Sequence, residues 1–249
     1  VTDKLIVVVF FTAAADFPFS SGPAADEPTT LTAGGKSVTF QTGIKTLTTS
    51  NLTFDFGSLF LVGDNTTGTA DDDSANTLIG GFENDRLIGL GGDDSMVGGS
   101  GNDAFSMAYA TEAFGNDTID DGGGIDRLDY SGGSTNAVNV NLATHTAISV
   151  QGITTLFSIE GVHGTAGNDL FIGGDPLHDV DILGNRDAER FRGNAGNDTI
   201  AGGGGGFFTI ADYANNSRAA GISANLFTGT VADGLGGTDT LANVDALHG

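Results

Sequence analysis

The sequence predicts an all-β protein: a parallel β-roll or β-solenoid of nine-residue repeats, set as two tandem modules behind a small β-rich N-terminal region. Three observations carry this reading. Three consecutive nine-residue units between Gly80 and Ser106 keep one phase of glycine, acid and apolar residue. A longer period, 83 to 85 residues, pairs two later stretches of chain. Residues 1–63 lack the repeat and hold apolar runs separated by proline and glycine.

The N-terminal runs are Leu5–Phe11, Ser37–Thr42 and Leu52–Val62, divided by Pro18, Pro23, Pro28 and the Gly34-Gly35 pair. Low charge with abundant Thr and Phe favours strands there. The opening Lys4–Ala15 has the charged start, apolar middle and Ala-x-Ala end of a signal peptide. It is shorter than the roughly 20 apolar residues of a membrane span. A buried or intermolecular β-strand is the favoured reading, and a cleaved leader is the alternative. Gly35-Lys-Ser37 is no phosphate loop, because Thr30 stands where such a loop needs its first glycine.

The three units read Gly80-Gly-Phe-Glu-Asn-Asp-Arg-Leu-Ile88, Gly89-Leu-Gly-Gly-Asp-Asp-Ser-Met-Val97 and Gly98-Gly-Ser-Gly-Asn-Asp-Ala-Phe-Ser106. Asp85, Asp94 and Asp103 fill the sixth position, and Leu87, Met96 and Phe105 the eighth. Glycine lets the backbone turn tightly through positive φ, which points successive carbonyl oxygens inward. The aspartate adds a charged oxygen. Calcium takes six to eight oxygens in irregular geometry, so a mixed shell of this kind suits it. The eighth residue enters a short strand and turns inward. Two units complete one coil, which places Asp85 and Asp103 on the same side of neighbouring coils.

This pattern, G-G-x-G-x-D-x-U-x with U apolar, resembles the calcium-binding nonapeptide repeat of RTX (hemolysin-type) proteins. The resemblance covers residues 68–249. It implies Ca2+ between adjacent loops, held by the sixth-position Asp and by carbonyls at positions two and four. On this chain these are Gly81, Glu83 and Asp85, then Leu90, Gly92 and Asp94, then Gly99, Gly101 and Asp103. Glu83 and Leu90 stand where the family has glycine, and Glu83 is expected to strain its turn. Further calcium-type turns contain Gly115 and Asp117, Gly124 and Asp126, Gly167 and Asp169, and Gly196 and Asp198. Glu189 with Phe191 fits the same phase, while Gly234–Leu241 with Asp239 matches more weakly. Asn76 takes the sixth position before Leu78, an uncharged and weaker end. One ion per pair of stacked acidic loops gives about four to eight ions.

The long period defines the modules, residues 64–163 and 164–249. Asp129-Tyr130 pairs with Asp212-Tyr213, Val140-Asn-Leu142 with Ala224-Asn-Leu226, and Leu156-x-x-Ile159 with Leu241-x-x-Val244. His163-Gly164 pairs with His248-Gly249, and Gly115-Asn-Asp-Thr-Ile119 with Gly196-Asn-Asp-Thr-Ile200. In the second module the glycine run 202–206 leads into Phe207-Phe208 without a carboxylate, so fewer ions are expected there.

Across 249 residues, 32 acidic against 9 basic side chains give a formal net charge of −23. Self-repulsion on that scale opposes compaction. Calcium is the natural counter-charge, so the metal-free chain should be loosened. No basic patch exists to meet nucleic-acid phosphates. With no Cys there is no disulfide framework. High Gly, at 41 residues, with only 4 Pro argues against collagen-like structure.

No enzyme is expected. His145, His163, His178 and His248 form no H-E-x-x-H, and no G-x-S-x-G elbow occurs. His163 and His248 are duplicated, as is Asp-Tyr, which points to packing at coil junctions. The resemblance further implies a secreted protein, exported by a type I system to the exterior or cell surface without membrane insertion. The leading expectation is a structural or self-assembling subunit partnered by copies of itself. The alternative is a calcium-dependent folding and secretion module of a larger enzyme or toxin. An adhesin or ice-binding surface would need a flat Thr array, and the threonines here are scattered.

Overall fold

A computed structural model describes residues 19–21, 29–33, 36–40, 58–63, 75–107, 114–132, 134–174, 188–203, 208–214 and 221–249. The run Leu5–Phe11 and the first part of the expected repeat, residues 68–74, lie outside the described residues. The chain divides into two compact units, Val1–Asp126 and Arg127–Gly249.

In the first unit, β1 (Phe19–Ser21), β2 (Thr29–Ala33) and β3 (Lys36–Phe40) form a small antiparallel sheet. Its register joins Ala33 to Lys36, as the Gly34-Gly35 pair between two Thr-rich strands predicts. The repeat supplies β4 (Phe60–Val62), β5 (Thr77–Ile79), β6 (Arg86–Ile88), β7 (Ser95–Ser100), β8 (Ala104–Ser106) and β9 (Gly115–Gly123). These alternate between two parallel sheets, β4-β6-β8 and β5-β7-β9. Strands nine residues apart therefore face each other, and strands a full coil apart pair. The eighth-position residues Leu87, Met96 and Phe105 are all fully buried between the sheets.

The second unit contains β10 (Arg127–Asp129), β11 (Asn139–Asn141), β12 (Thr146–Ser149), β13 (Gly152–Phe157), β14 (Gly161–His163), β15 (Leu170–Ile172) and β16 (Glu189–Arg192). It continues with β17 (Thr199–Ala201), β18 (Thr209–Asp212), β19 (Ser223–Asn225), β20 (Thr230–Ala232), β21 (Thr238–Ala242) and β22 (Ala246–His248). Here β10-β14-β16-β18-β22 run parallel, and β11, β15, β17 and β21 form the parallel part of the facing sheet. Phe171 and Phe191 stack in its core with ring centres 5.6 Å apart.

Each half of this unit also carries an antiparallel excursion that the nonapeptide phase does not foretell. Strands β11-β12-β13 and β19-β20-β21 fold back on themselves. The cause is a local turn made twice. Asn141 Oδ1 accepts from Thr144 N at 3.1 Å, and Asn225 Oδ1 from Thr228 N at 3.2 Å. Threonine hydroxyls pair across each turn, Thr144 with Thr146 and Thr228 with Thr230. His145 and Gly229 then reverse the chain at φ 57° and 66°. The fold is thus all-β with two largely parallel sheets per unit, the arrangement of a β-roll. No helix among the described residues is long and apolar enough to cross a membrane.

Candidate metal centre

Strand alternation places the sixth and eighth positions on the same inward face. In β9 this is plain, since Asp117, Ile119 and Asp121 are buried while Thr118 and Asp120 are exposed. The aspartates so buried are tied from coil to coil. Asp85 Oδ1 accepts from Leu59 N (2.6 Å), Asp103 Oδ1 from Asp85 N (2.7 Å), and Asp126 Oδ1 from Asp103 N (2.5 Å). On the facing side Asp94 Oδ1 accepts from Asn76 N (2.8 Å) and Asp117 Oδ1 from Asp94 N (3.0 Å). The second unit repeats the ladder, with Asp169 Oδ1 on Val138 N, Asp198 Oδ1 on Asp169 N and Asp239 Oδ1 on Asp198 N, at 2.8 to 2.9 Å. One carboxylate oxygen thus satisfies a buried N–H that no strand partner reaches.

The other oxygen folds back over the first position of its own loop. A Cβ at Gly80, Gly89, Gly98, Gly164 or Gly193 would collide with Oδ2 of Asp85, Asp94, Asp103, Asp169 or Asp198, respectively. Glycine is needed there for space. Asp85 Oδ2 accepts from Gly81 N, and Asp169 Oδ2 from Thr165 N. Oδ2 of Asp103 and of Asp198 is buried and accepts no hydrogen bond.

Carbonyls at positions two and four sit in the gaps between coils. The oxygens of Gly81, Glu83, Gly92, Gly99, Gly101, Gly167 and Gly196 each lie against a glycine of the next coil, where a side chain would clash. Gly99, Gly101, Gly115, Gly124 and Gly196 accept this approach at positive φ. The expected strain at Glu83 is not observed. Glu83 is exposed and has no positive φ, because position four of its turn keeps an ordinary conformation. The strained residue is Leu90, buried at φ 72° in the left-handed region.

Burial pushes these carboxyls upward. Desolvation raises Asp103 to about 6, opposed by the Asp85 N–H and assisted by the Asp85 charge. It raises Asp117 and Asp126 to about 7 and Asp198 to about 8, the last also feeling Asp239, Asp169 and Asp233. Asp85 and Asp169 are raised for the same reason. Buried carboxylates, inward carbonyls and no nitrogen or sulfur donors make a hard, oxygen-only set that fits calcium. Asp103 and Asp198, with their bare oxygens, are the residues best placed to hold an ion.

Several contributing residues were not singled out from sequence. Position five carries a second, outer ladder running the opposite way. Asn84 Oδ1 accepts from Asn102 N, Asn102 Oδ1 from Ile125 N, Asp93 Oδ1 from Asn116 N, Asn168 Oδ1 from Asn197 N, and Asn197 Oδ1 from Thr238 N. The signal was present, since Asn or Asp recurs at that position in each of these loops. Asp233 Oδ1 collects the N–H groups of Leu235, Gly236 and Gly237, fixing the loop before Asp239. Tyr213 OH donates to Asp239 Oδ2 at 2.9 Å. Glu189, whose place in the repeat phase the sequence already indicates, stands in for the aspartate with a longer arm, accepting from Thr209 Oγ1 at 3.1 Å and from Gly174 N.

The duplicated histidines belong to a separate charged row at the strand ends. Register aligns Asp129, His163 and Arg192, then Asp212 and His248. Arg192 Nη2 donates to Asp212 Oδ2 at 2.6 Å, and His248 Nδ1 lies 3.0 Å from Asp212 Oδ1. Although burial opposes it, the Ala214 N–H and Arg192 hold Asp212 below the usual carboxylate range. Burial pushes the His163 imidazole down to about 4; Asp129 opposes this, and Arg127 and Arg192 reinforce it.

Loops of this geometry, stacked on parallel strands, define a calcium-binding roll. Residues 68–105, 162–175 and 183–206 match the RTX calcium-binding nonapeptide repeat, in four copies. Those segments are therefore RTX calcium-binding nonapeptide repeats. No curated protein matches it.

Proposed function

We propose that the chain is a secreted structural protein that folds as it binds calcium outside the cell and associates with copies of itself, performing no catalysis. The observation that carries the calcium-gated part is the bare, buried Oδ2 of Asp103 and of Asp198 within ladders of like charge. Buried carboxylates of this kind are stable when ionised only if paired or bound to metal. A chain at −23 gains compaction from every divalent ion it takes up. Self-association is supported by the sheet edges. Among the described strands, β4 and β22 each pair on one side only, and an open edge is a template for a further strand. RTX repeat proteins are typically secreted, which suits a fold that waits for calcium.

The test is electron microscopy of the purified chain in millimolar calcium and in excess chelator, with circular dichroism alongside. Filaments or sheets together with β-structure, both lost on chelation, are expected. Calcium-dependent folding into discrete monomers would overturn the assembly part and favour a folding and export module.

A further inference from the structure

A buried carboxylate must be met by donors or by an ion. Within the second unit the acids Asp169, Glu189, Asp198 and Asp239 divide into two kinds on this count. Asp198 Oδ2 is buried and, among the described residues, accepts no hydrogen bond. The other three acids each receive a side-chain hydroxyl. Thr165 Oγ1 donates to Asp169 Oδ1 at 2.9 Å, while the Thr165 N–H serves Oδ2 at 2.7 Å. Tyr213 OH donates to Asp239 Oδ2 at 2.9 Å. Thr209 Oγ1 donates to Glu189 Oε2 at 3.1 Å, and Glu189 Oε1 accepts from Gly174 N.

These hydroxyls are built into the core. Thr165, Thr209 and Tyr213 are all buried, as are the three acids they meet. They also reach their acids by three different routes. Thr165 is the second residue of the loop that ends at Asp169, and Thr209 in β18 is the register partner of Glu189 in β16. Tyr213 follows directly on β18 and lies 26 positions from Asp239. A hydrogen bond to an ionised carboxylate is of the stronger kind, and it uses a lone pair that a cation would otherwise take. Asp198 stands between two acids held in this way, since its Oδ1 accepts from Asp169 N and its own N–H donates to Asp239 Oδ1.

We propose that the side chains of Thr165, Thr209 and Tyr213 decide where the second unit takes calcium: their hydroxyls stand in for the ion at Asp169, Glu189 and Asp239 and reserve calcium for Asp198. This rests on the calcium reading and gives a role to three side chains that the repeat does not include. The site that remains is held between two rungs that need no ion, so less of its binding energy is spent on ordering the chain.

The test is calorimetric calcium titration of the full chain, with hydrogen exchange of the β17 and β21 amides at graded calcium. Wild type is compared with Tyr213→Phe and Thr209→Val, which keep the shape of the side chain and remove the donor. Each variant should take up one more calcium ion per chain than wild type. Each should need at least tenfold more calcium for half-maximal protection and return to within threefold of wild-type protection at saturation. Rescue by calcium is a readout that a merely structural hydrogen bond would not give. A loss of protection equal in chelator and in saturating calcium overturns the inference, as do an uptake and a midpoint unchanged from wild type. A wild-type chain that takes up no calcium overturns the calcium reading itself.

Discussion

Raising the pH in the presence of chelator should unlock the first unit. Asp117 and Asp126 sit at about 7 and Asp103 at about 6 when folded, against 3.8 as the ordinary value. A carboxyl with a raised folded-state value holds its proton more tightly in the fold. Its stabilisation is present below pH 4 and is lost as pH rises through 6 to 7. At 1.36 kcal/mol per tenfold change, Asp117 and Asp126 alone would each contribute about 4 kcal/mol. Screening by water at the loop mouths reduces each to about 2 kcal/mol. With a smaller share from Asp103, the calcium-free first unit loses about 4 kcal/mol between pH 4.5 and 8, a large part of a domain's stability. Hydrogen exchange of the amides of β6 and β8, corrected for the intrinsic pH dependence, reads this locally. Protection in chelator should fall by about three decades over that range, and calcium should restore it at pH 8. Protection that stays level or rises with pH in chelator would refute the reasoning.

Other perturbations have equally definite outcomes. Gly101→Ala places a Cβ at φ 122° and 2.6 Å from the Glu83 carbonyl oxygen, and should cost about 3 kcal/mol in a calcium-saturated melt. Phe171→Ala empties a fully buried site beside Phe191 and should cost about 3–5 kcal/mol by denaturant titration. Asn197→Ala removes the acceptor for Thr238 N and should cost about 1 kcal/mol, with calcium stoichiometry unchanged by calorimetry. His163, held near 4 in the fold against 6.5, works in the opposite direction from the aspartates. In saturating calcium its contribution is intact above pH 6.5 and is lost as pH falls to 4, costing about 3 kcal/mol. Acid melts of His163→Asn should lack that loss.

The roll was legible in the sequence because its period is imposed by geometry. A nine-residue unit must return glycine, acid and apolar residue to the same places, and Leu87, Met96 and Phe105 mark that return. The hairpins at β12 and β20 were not legible, because they depend on short Asn-Thr turns that interrupt the period. The bonding behind the aspartate pattern was equally hidden. Sequence suggests Asp85 and Asp103 as ligands, whereas the structure also makes each an acceptor for a neighbouring coil's N–H. Leu90 against Glu83 shows the limit most clearly. Both replace glycine, yet only the turn's actual dihedrals reveal which one carries strain.

The ladder has a consequence for how such a chain can change length. Rungs join residues separated by 18 and 23 positions on an Asp ladder of the first unit and by 29 and 41 on that of the second, yet the bond made is the same each time. Coils are counted by rungs, not by residues. Extra chain can enter between rungs without shifting the register of the next one, whereas a single residue gained inside a loop would misplace its carboxylate. Each unit is in this sense a rack with fixed pegs and free spans, on which foreign segments could be carried between coils while the frame of that unit keeps its spacing.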